Sequence, residues 1–373
     1  MNPEISSIAT RLRETISRPE PVDDIQFNSL ALELFALQFR CNSAYRKICE
    51  ARKLTPQVVE HWTQIPAVPA GLFKELEMTS LAPDERPTVF HSSGTTEQKP
   101  GRHFHCAESL ALYETSLWKW FQENLRFAIY DLRLLCLTPP SEQVPHSSLV
   151  HMFETIRKKF GASESVFLGK ISDGVWTLDF EGTVALLQGG GASADRRHSQ
   201  NGEDAALCRD AATPMLILGT AFSFVHLLDF LVEKGLRLQL PAHSRVMETG
   251  GYKNRSRSMP KAELHALIEE FLGVPRKNIL CEYGMSELSS QAYAGSTSAF
   301  HFPPWARARI ISPETGHEVA DGETGLIRIF DLANVFSVAA IQTEDLGIRR
   351  GDGFELAGRA QLAEPRGCSL MTA

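Results

Sequence analysis

Short apolar runs alternate with helix-length amphipathic stretches along most of the 373-residue chain, which predicts an α/β fold on a largely parallel sheet. Two further observations bear on this. Hydrophobic residues make up 43% and charged residues 22%, a globular balance that argues against disordered, collagenous or coiled-coil chains. After residue 300 the pattern changes to short strands joined by turns such as PETG and RGDG, which predicts a small β-rich subdomain. The expected division is a helical region over 1–84, an α/β core over 85–300, and a β-rich part over 301–373 with a short tail.

Taken in order, the first 65 residues read as helical. Asn28 is expected to cap a run carrying Leu30, Leu34 and Leu37, and Thr55-Pro56 to open another helix. The prolines of IPAVPAG (65–71) impose extended backbone. TVFH (88–91) reads as a strand, followed by the polar loop SSGTTEQKPG and the helix AESLALYETSLWKWFQENL. DLRLLCLT, ESVFLG, MLIL, RVMETGG and NILCEYG read as strands. The helices between or after them are SSLVHMFETIRKKFG, closed by Gly161, LDFEGTVALLQ, AFSFVHLLDFLVEKG and MPKAELHALIEEFLG. The Gly-rich piece at 189–209 reads as a mobile surface loop. RARIIS, GLIRIFDL, FSVAAIQ, LGIRR and GFELAG read as the strands of the last part.

Composition excludes several functions. A net charge of -7 does not suit a protein that grips nucleic-acid backbones. Met215–Leu228 is uncharged but shorter than the roughly 18 residues a spanning helix needs, so no membrane span is expected. Seven scattered cysteines form no CxxC pair, which fits neither a disulfide framework nor a zinc site. With a charged start in place of a signal peptide, they point to a reducing, cytoplasmic setting.

Three segments carry chemistry. Ser92-Ser93-Gly94-Thr95-Thr96-Glu97-Gln98-Lys99 follows a strand and offers hydroxyl and N–H donors to phosphate oxygens, without the GK[ST] ending of a Walker A loop. Cys281-Glu282-Tyr283-Gly284-Met285-Ser286-Glu287 follows another strand, with Thr249-Gly250-Gly251 upstream. Thr343-Glu344-Asp345-Leu346-Gly347 precedes Asp352-Gly353-Phe354 and Gly358-Arg359. A glutamate suits a hard cation, and an aspartate can accept hydrogen bonds from a sugar diol.

In this order the motifs resemble those of adenylate-forming enzymes, the acyl-CoA synthetases and adenylation domains. With IPAVPAGLFKE, PHSSLVHM and the ending GRAQLAEPRGCSL, the chain resembles the LuxE-type acyl-protein synthetases. The resemblance implies an adenylate-forming core of mostly parallel sheets without the superfamily's large C-terminal domain. It implies ATP and Mg²⁺ as cofactors and a carboxylic (fatty) acid as substrate. Ser92, Ser93, Gly94, Thr95 and Thr96 would meet the phosphates, Gly250, Gly251, Tyr283, Gly284 and Ser286 the nucleotide, Asp345 the ribose, and Arg359 the ribose or phosphate. Glu287 would hold Mg²⁺, and Cys368 would take the acyl group. Glu97 departs from the glycine usual after SGTT.

Other features stay ambiguous at this level. His146 or His151 can close a carboxylate pocket or be structural, while the alternation of His103 and His105 suggests one strand face and no metal site. The aromatic face of Tyr113, Trp118, Trp120 and Phe121 suits core packing or an acyl tunnel. Three functions compete: acyl activation with capture on Cys368 and passage to a partner reductase, delivery to coenzyme A or an acyl carrier protein, and a non-catalytic nucleotide- or acyl-binding module.

Overall fold

A computed structural model describes residues 2–18, 20–92, 99–125, 132–160, 165–172, 175–189, 213–250, 259–295 and 299–360. The chain opens with α1 (Pro3–Ser17), whose Ile5, Ile8, Leu12 and Ile16 form one buried stripe, α2 (Asp24–Cys41) and α3 (Ser43–Ala51). Asp23, not Asn28, caps α2; Asn28 lies within the helix and accepts a hydrogen bond from the Trp62 N–H. Thr55-Pro56 opens only a turn, with the Val58 and Val59 N–H groups bonded back to the Thr55 carbonyl. The β-branched pair Val58-Val59 is a poor start for a helix, and a separate capping box of His61 and Gln64 begins the next turn. Then come β1 (Val68–Pro69), α4 (Leu72–Glu75), and the antiparallel pair β2 (Thr88–His91) and β3 (Arg102–His105).

The core continues through α5 (Ala107–Leu125), β4 (Arg133–Cys136), α6 (Ser148–Phe160) and β5 (Val166–Phe167). A hairpin not foreseen in the sequence follows, β6 (Gly169–Ser172) and β7 (Val175–Leu178), then α7 (Phe180–Gln188). Thr220 ends β8 (Met215–Thr220) and caps α8 (Ala221–Glu233), as the division into a strand MLIL and a helix AFSFVHLLDFLVEKG predicts. β9 (Arg245–Thr249), α9 (Lys261–Leu272), β10 (Ile279–Tyr283) and β11 (Ala292–Ala294) complete this part. Gly273 closes α9 at a φ of 66°, where a side chain is strained. Gly161, and the 189–209 loop apart from Gly189, lie outside the described residues.

These strands make a six-stranded sheet in the order β11-β10-β9-β8-β4-β5, parallel except for β11. Leu134, Leu216 and Met247 face α5 and α6, whereas Leu135, Ile217 and Val246 face α7, α8 and α9. Helices on both faces explain why β8 is buried along almost its whole length.

The last part is a second sheet of β12 (Ala306–Ile311), β13 (Thr324–Asp331), β14 (Ala340–Arg350) and β15 (Gly353–Arg359). FSVAAIQ and LGIRR are not separate strands: Ala340–Arg350 is continuous through the polar Thr343-Glu344-Asp345. One edge of β14 pairs with β13, while β1 meets Ile341 and Gln342 and β15 meets Asp345 to Arg350. Helices α1 to α3 pack into one core with this sheet, through Phe27, Leu34, Phe35 and Tyr45 against Ile329, Phe330 and Ile341. Among the described residues no helix is long and apolar enough to cross a membrane.

Candidate active site

β9 and β10 are parallel neighbours that end together, with Glu282 opposite Thr249, so Gly250 and Tyr283 lie side by side at their carboxyl ends. That edge of a parallel sheet is where open α/β folds leave a crevice for ligands. Gly250 adopts a φ of 71° with open space where a Cβ would stand, so glycine is required by the turn.

The loop after Tyr283 is held from the second sheet. The Ser289 and Ser290 N–H groups donate to the Asp331 carboxylate at 2.9 and 2.8 Å, and the Ser290 hydroxyl donates to it at 2.7 Å. The Asn334 amide donates to the Glu287 carbonyl at 2.7 Å. Asp331 is fully buried, and desolvation raises its pKa against these hydrogen bonds. Asp331 and Asn334 were not singled out in the sequence; the acidic and amide residues at either end of DLAN are their only signal.

Three expected residues meet at one point. The Tyr283 hydroxyl donates to Asp345 Oδ2 at 2.8 Å, and Arg359 Nε donates to Oδ1 at 3.3 Å. Asp345 and Arg359 are cross-strand partners on β14 and β15, so the sheet register sets their pairing. The Tyr283 ring packs edge-on against Phe354 at 5.3 Å. Burial, and then the Asp345 charge, push its phenol well above the usual range, so it stays a proton donor that holds the carboxylate.

A second group surrounds Glu287. Ser92 and Gly101 close the mouth of the β2–β3 hairpin, the Gly101 N–H donating to Ser92 Oγ at 2.8 Å. A Cβ on Gly101 would come within 2.8 Å of that oxygen and 3.1 Å of Glu287 Oε1, so the glycine lets hydroxyl and carboxylate share this space. The Ser286 hydroxyl donates to the His91 carbonyl at 3.0 Å, and the buried His103 ring meets the Ser286 carbonyl at 2.8 Å. Burial pushes Glu287 up to about 7, with Arg359 and Lys74 opposing the shift and Glu344 adding to it. Lys74, on α4, was also missed in the sequence. Burial drives His103 down to about 4, so it is neutral near pH 7.

His91 stacks on His146 at 4.5 Å, and His146 Nδ1 lies 3.1 Å from the Val89 carbonyl. His151 Nε2 lies 3.2 Å from a Glu114 carboxylate oxygen. On the α9 side of the strand ends, Glu248, His265 and Cys281 place ligand-type atoms within 4.8 Å of one another, the thiol being pushed up by burial. Ser93, Gly94, Thr95, Thr96, Gly251 and Cys368 lie outside the described residues.

Comparison with solved structures gives the fold. The chain is similar to a 2-hydroxyisobutyryl-CoA ligase in an open conformation with 2-HIB-AMP and CoA, with a TM-score of 0.66 and 12% identity over 90% of this chain and 74% of that one. At that identity the likeness is one of fold, the adenylate-forming ligase fold. Two curated relatives are long-chain-fatty-acid--luciferin-component ligases, each 23% identical. That of Aliivibrio fischeri covers 93% of this chain and 87% of its own length, and that of Vibrio harveyi 90% and 84%. The model of the acyl-protein synthetase family, LuxE, matches residues 18–101 and 200–373, and the chain belongs to that family. It is an acid–thiol ligase that activates a carboxylic acid with ATP and transfers the acyl group.

Proposed function

We propose that the enzyme binds ATP with Mg²⁺ across the carboxyl ends of β9 and β10, forms an acyl-adenylate, and passes the acyl group to Cys368 and then to a partner protein. The observation that carries this reading is the convergence of Tyr283, Asp345 and Arg359 beside the buried Glu287, drawn from two sheets. Asp345 is the acceptor for the ribose hydroxyls, with Tyr283 fixing one of its oxygens and the exposed Arg359 free to turn toward ribose or phosphate. Ser92 to Thr96 supply phosphate donors, while Gly250, Gly251, Gly284 and Ser286 shape the nucleotide's bed. A buried carboxylate with the Ser92 hydroxyl close by suits Mg²⁺, which takes oxygen ligands and would offset charge on the phosphates.

A carboxylate oxygen of the acid attacks the α-phosphorus and pyrophosphate leaves; the Cys368 thiolate then attacks the acyl carbonyl and AMP leaves. The chain's residues contribute mainly position and fixed charge. The setting is cytoplasmic, and the final acceptor is a reductase, a carrier protein or coenzyme A.

Hydroxylamine trapping with ATP, Mg²⁺ and a panel of acids should yield a hydroxamate. Intact mass should show one acyl adduct that Cys368→Ala abolishes. If Cys368→Ala acylates coenzyme A or a carrier protein at the wild-type rate, direct transfer to that outside thiol replaces the relay. A panel that yields no hydroxamate at any chain length supports the non-catalytic alternative.

A further inference from the structure

Residues two apart on a strand share a face. Val246 and Ile279 pack in one cluster with Leu264 and Ile268 of α9, so Glu248 and Cys281, two places further on, face that helix too. They are cross-strand partners in the β9–β10 register, and His265 of α9 meets them both. His265 Nε2 lies 3.5 Å from Glu248 Oε1 and 3.7 Å from Cys281 Sγ. Glu248 and Cys281 are buried, at 7% and 1% exposure, and the His265 side chain is 13% exposed.

This is not the layout of a Cys-His-carboxylate triad, in which one ring nitrogen faces the carboxylate and the other the nucleophile. Here the same Nε2 faces both, and it carries either one proton or one lone pair. Three donor atoms of different chemistry therefore converge on a common point. In a tetrahedral zinc site, bonds run to about 2.0–2.2 Å for nitrogen and oxygen and about 2.3 Å for sulfur. Those lengths make the N···O and N···S edges of the tetrahedron about 3.4 and about 3.6 Å. The observed separations match both, and the third pair of atoms lies within 4.8 Å. Thiolate with imidazole suits Zn²⁺ and not Mg²⁺ or Ca²⁺. Cysteine spacing gives no sign of it, because the three ligands come from three elements and include one cysteine.

Two further groups bear on the thiol. Burial raises its pKa, the Glu248 charge adds to that, and Lys261 opposes it. A coordinated thiol gives up its proton, here to solvent. Lys261 opens α9, and its ammonium lies 4.9 Å from the centre of the Phe300 ring, a seat it can keep when a cation stands beside the thiol. We propose that Glu248, His265 and Cys281 form a zinc site, separate from that of Glu287, with a fourth position open to water on the His265 side. The ion ties α9 to the ends of β9 and β10, two residues before Gly250 and Tyr283.

The full chain, stripped with EDTA and desalted, is titrated with Zn²⁺ against a chromophoric chelator in the presence of excess Mg²⁺. One equivalent should bind with a Kd below about 1 μM. Co²⁺ in its place should show a thiolate-to-metal charge-transfer band and tetrahedral d–d bands. Cys281→Ser, His265→Gln and Glu248→Gln should each weaken Zn²⁺ binding by at least about tenfold, and Cys281→Ser should remove the charge-transfer band. Cys41→Ser, a thiol outside the cluster, should change neither. Lys261→Met should tighten binding, since it removes a competing cation. The wild-type Co²⁺ spectrum needs no variant, so the test stands even where a substitution unfolds the chain. Weaker wild-type binding than this, or a Co²⁺ spectrum without the thiolate band, would overturn the proposal. So would wild-type affinity in Cys281→Ser or His265→Gln, or weakened binding in Lys261→Met.

Discussion

The two faces of β10 at its carboxyl end are built on opposite terms. On one, Tyr283, Asp345 and Arg359 satisfy one another and are held in register by two strands. On the other, Glu282 accepts from the Thr249 hydroxyl and stands opposite Tyr293, whose buried hydroxyl has no partner among the described residues. The contrast separates a cluster whose polar atoms satisfy one another from one that leaves a buried hydroxyl unsatisfied among the described residues. The first contributes to stability in the free enzyme; the second detracts from it.

The comparison can be broken most severely at the shared edge. Glu287→Gln should leave the fold intact and depress acid-dependent ATP–pyrophosphate exchange by about 10²–10³-fold, because an amide holds a cation poorly. Exchange at the wild-type rate would remove Glu287 from the site. Asp331→Ala strips the acceptor from the N–H groups of Ser289, Ser290 and Ala333 and from the Ser290 hydroxyl and should cost about 3 kcal/mol. Chemical denaturation reads this directly, and a loss near zero would mean the loop is held by Asn334 alone. Asp345→Ala should weaken AMP binding by about 1.5–3 kcal/mol, measured by calorimetry; unchanged affinity excludes it as the ribose acceptor.

On the other face the effect is one of pH. Burial first, with Glu248 adding, pushes Glu282 up to about 7 against the Thr249 hydrogen bond. The native state therefore binds its proton more tightly than the unfolded chain does. That contribution is fully present below the unfolded carboxyl range and is lost as pH rises through about 7. Glu282→Gln lacks this titration, so its stability relative to wild type should rise between about pH 4.5 and pH 8 by on the order of 1–3 kcal/mol. His103, driven the opposite way, titrates in both proteins and cancels in the difference. A pH-independent difference would place Glu282 in a wetter setting. The smallest effect contrasts two phenols: Tyr283→Phe should lose about 1 kcal/mol with its bond to Asp345, while Tyr293→Phe should lose nothing. Equal losses in paired thermal melts would erase the distinction drawn between the faces.

That Tyr283, Asp345 and Arg359 belong together was legible in the sequence because they sit in short contiguous motifs, and the strand–helix alternation of the core was legible because periodicity is local. Ala107–Leu125 and Met215–Thr220 show this, one by its apolar stripe and the other by its uninterrupted apolar run. What failed depends on distant partners. β14 looked like two strands because Thr343-Glu344-Asp345 interrupts its apolar pattern, and only pairing with β13 and β15 keeps it continuous. Glu282 read as part of the strand NILCEYG with nothing to mark its burial. Its burial comes from Tyr293 on β11, a strand of three residues that is too short to show a period. Asp331 likewise acquires its role from serines forty-odd positions earlier.

The docking of the amino-terminal helices on the last sheet has a consequence for biosynthesis. The Gln38 amide is bonded to the Asn334 carbonyl, 296 positions away, and Val68 pairs with Ile341. At about 5–20 residues per second, the apolar faces of α2 and α3 leave the ribosome roughly 15–60 s before the strands that cover them. For that interval they are natural clients for a holding chaperone. Stalled nascent chains ending before β13 should be cut by protease within α2, and chains extended past β15 should resist. Because Asp345 and Arg359 lie on β14 and β15, their cluster with Tyr283 assembles only after that same interval.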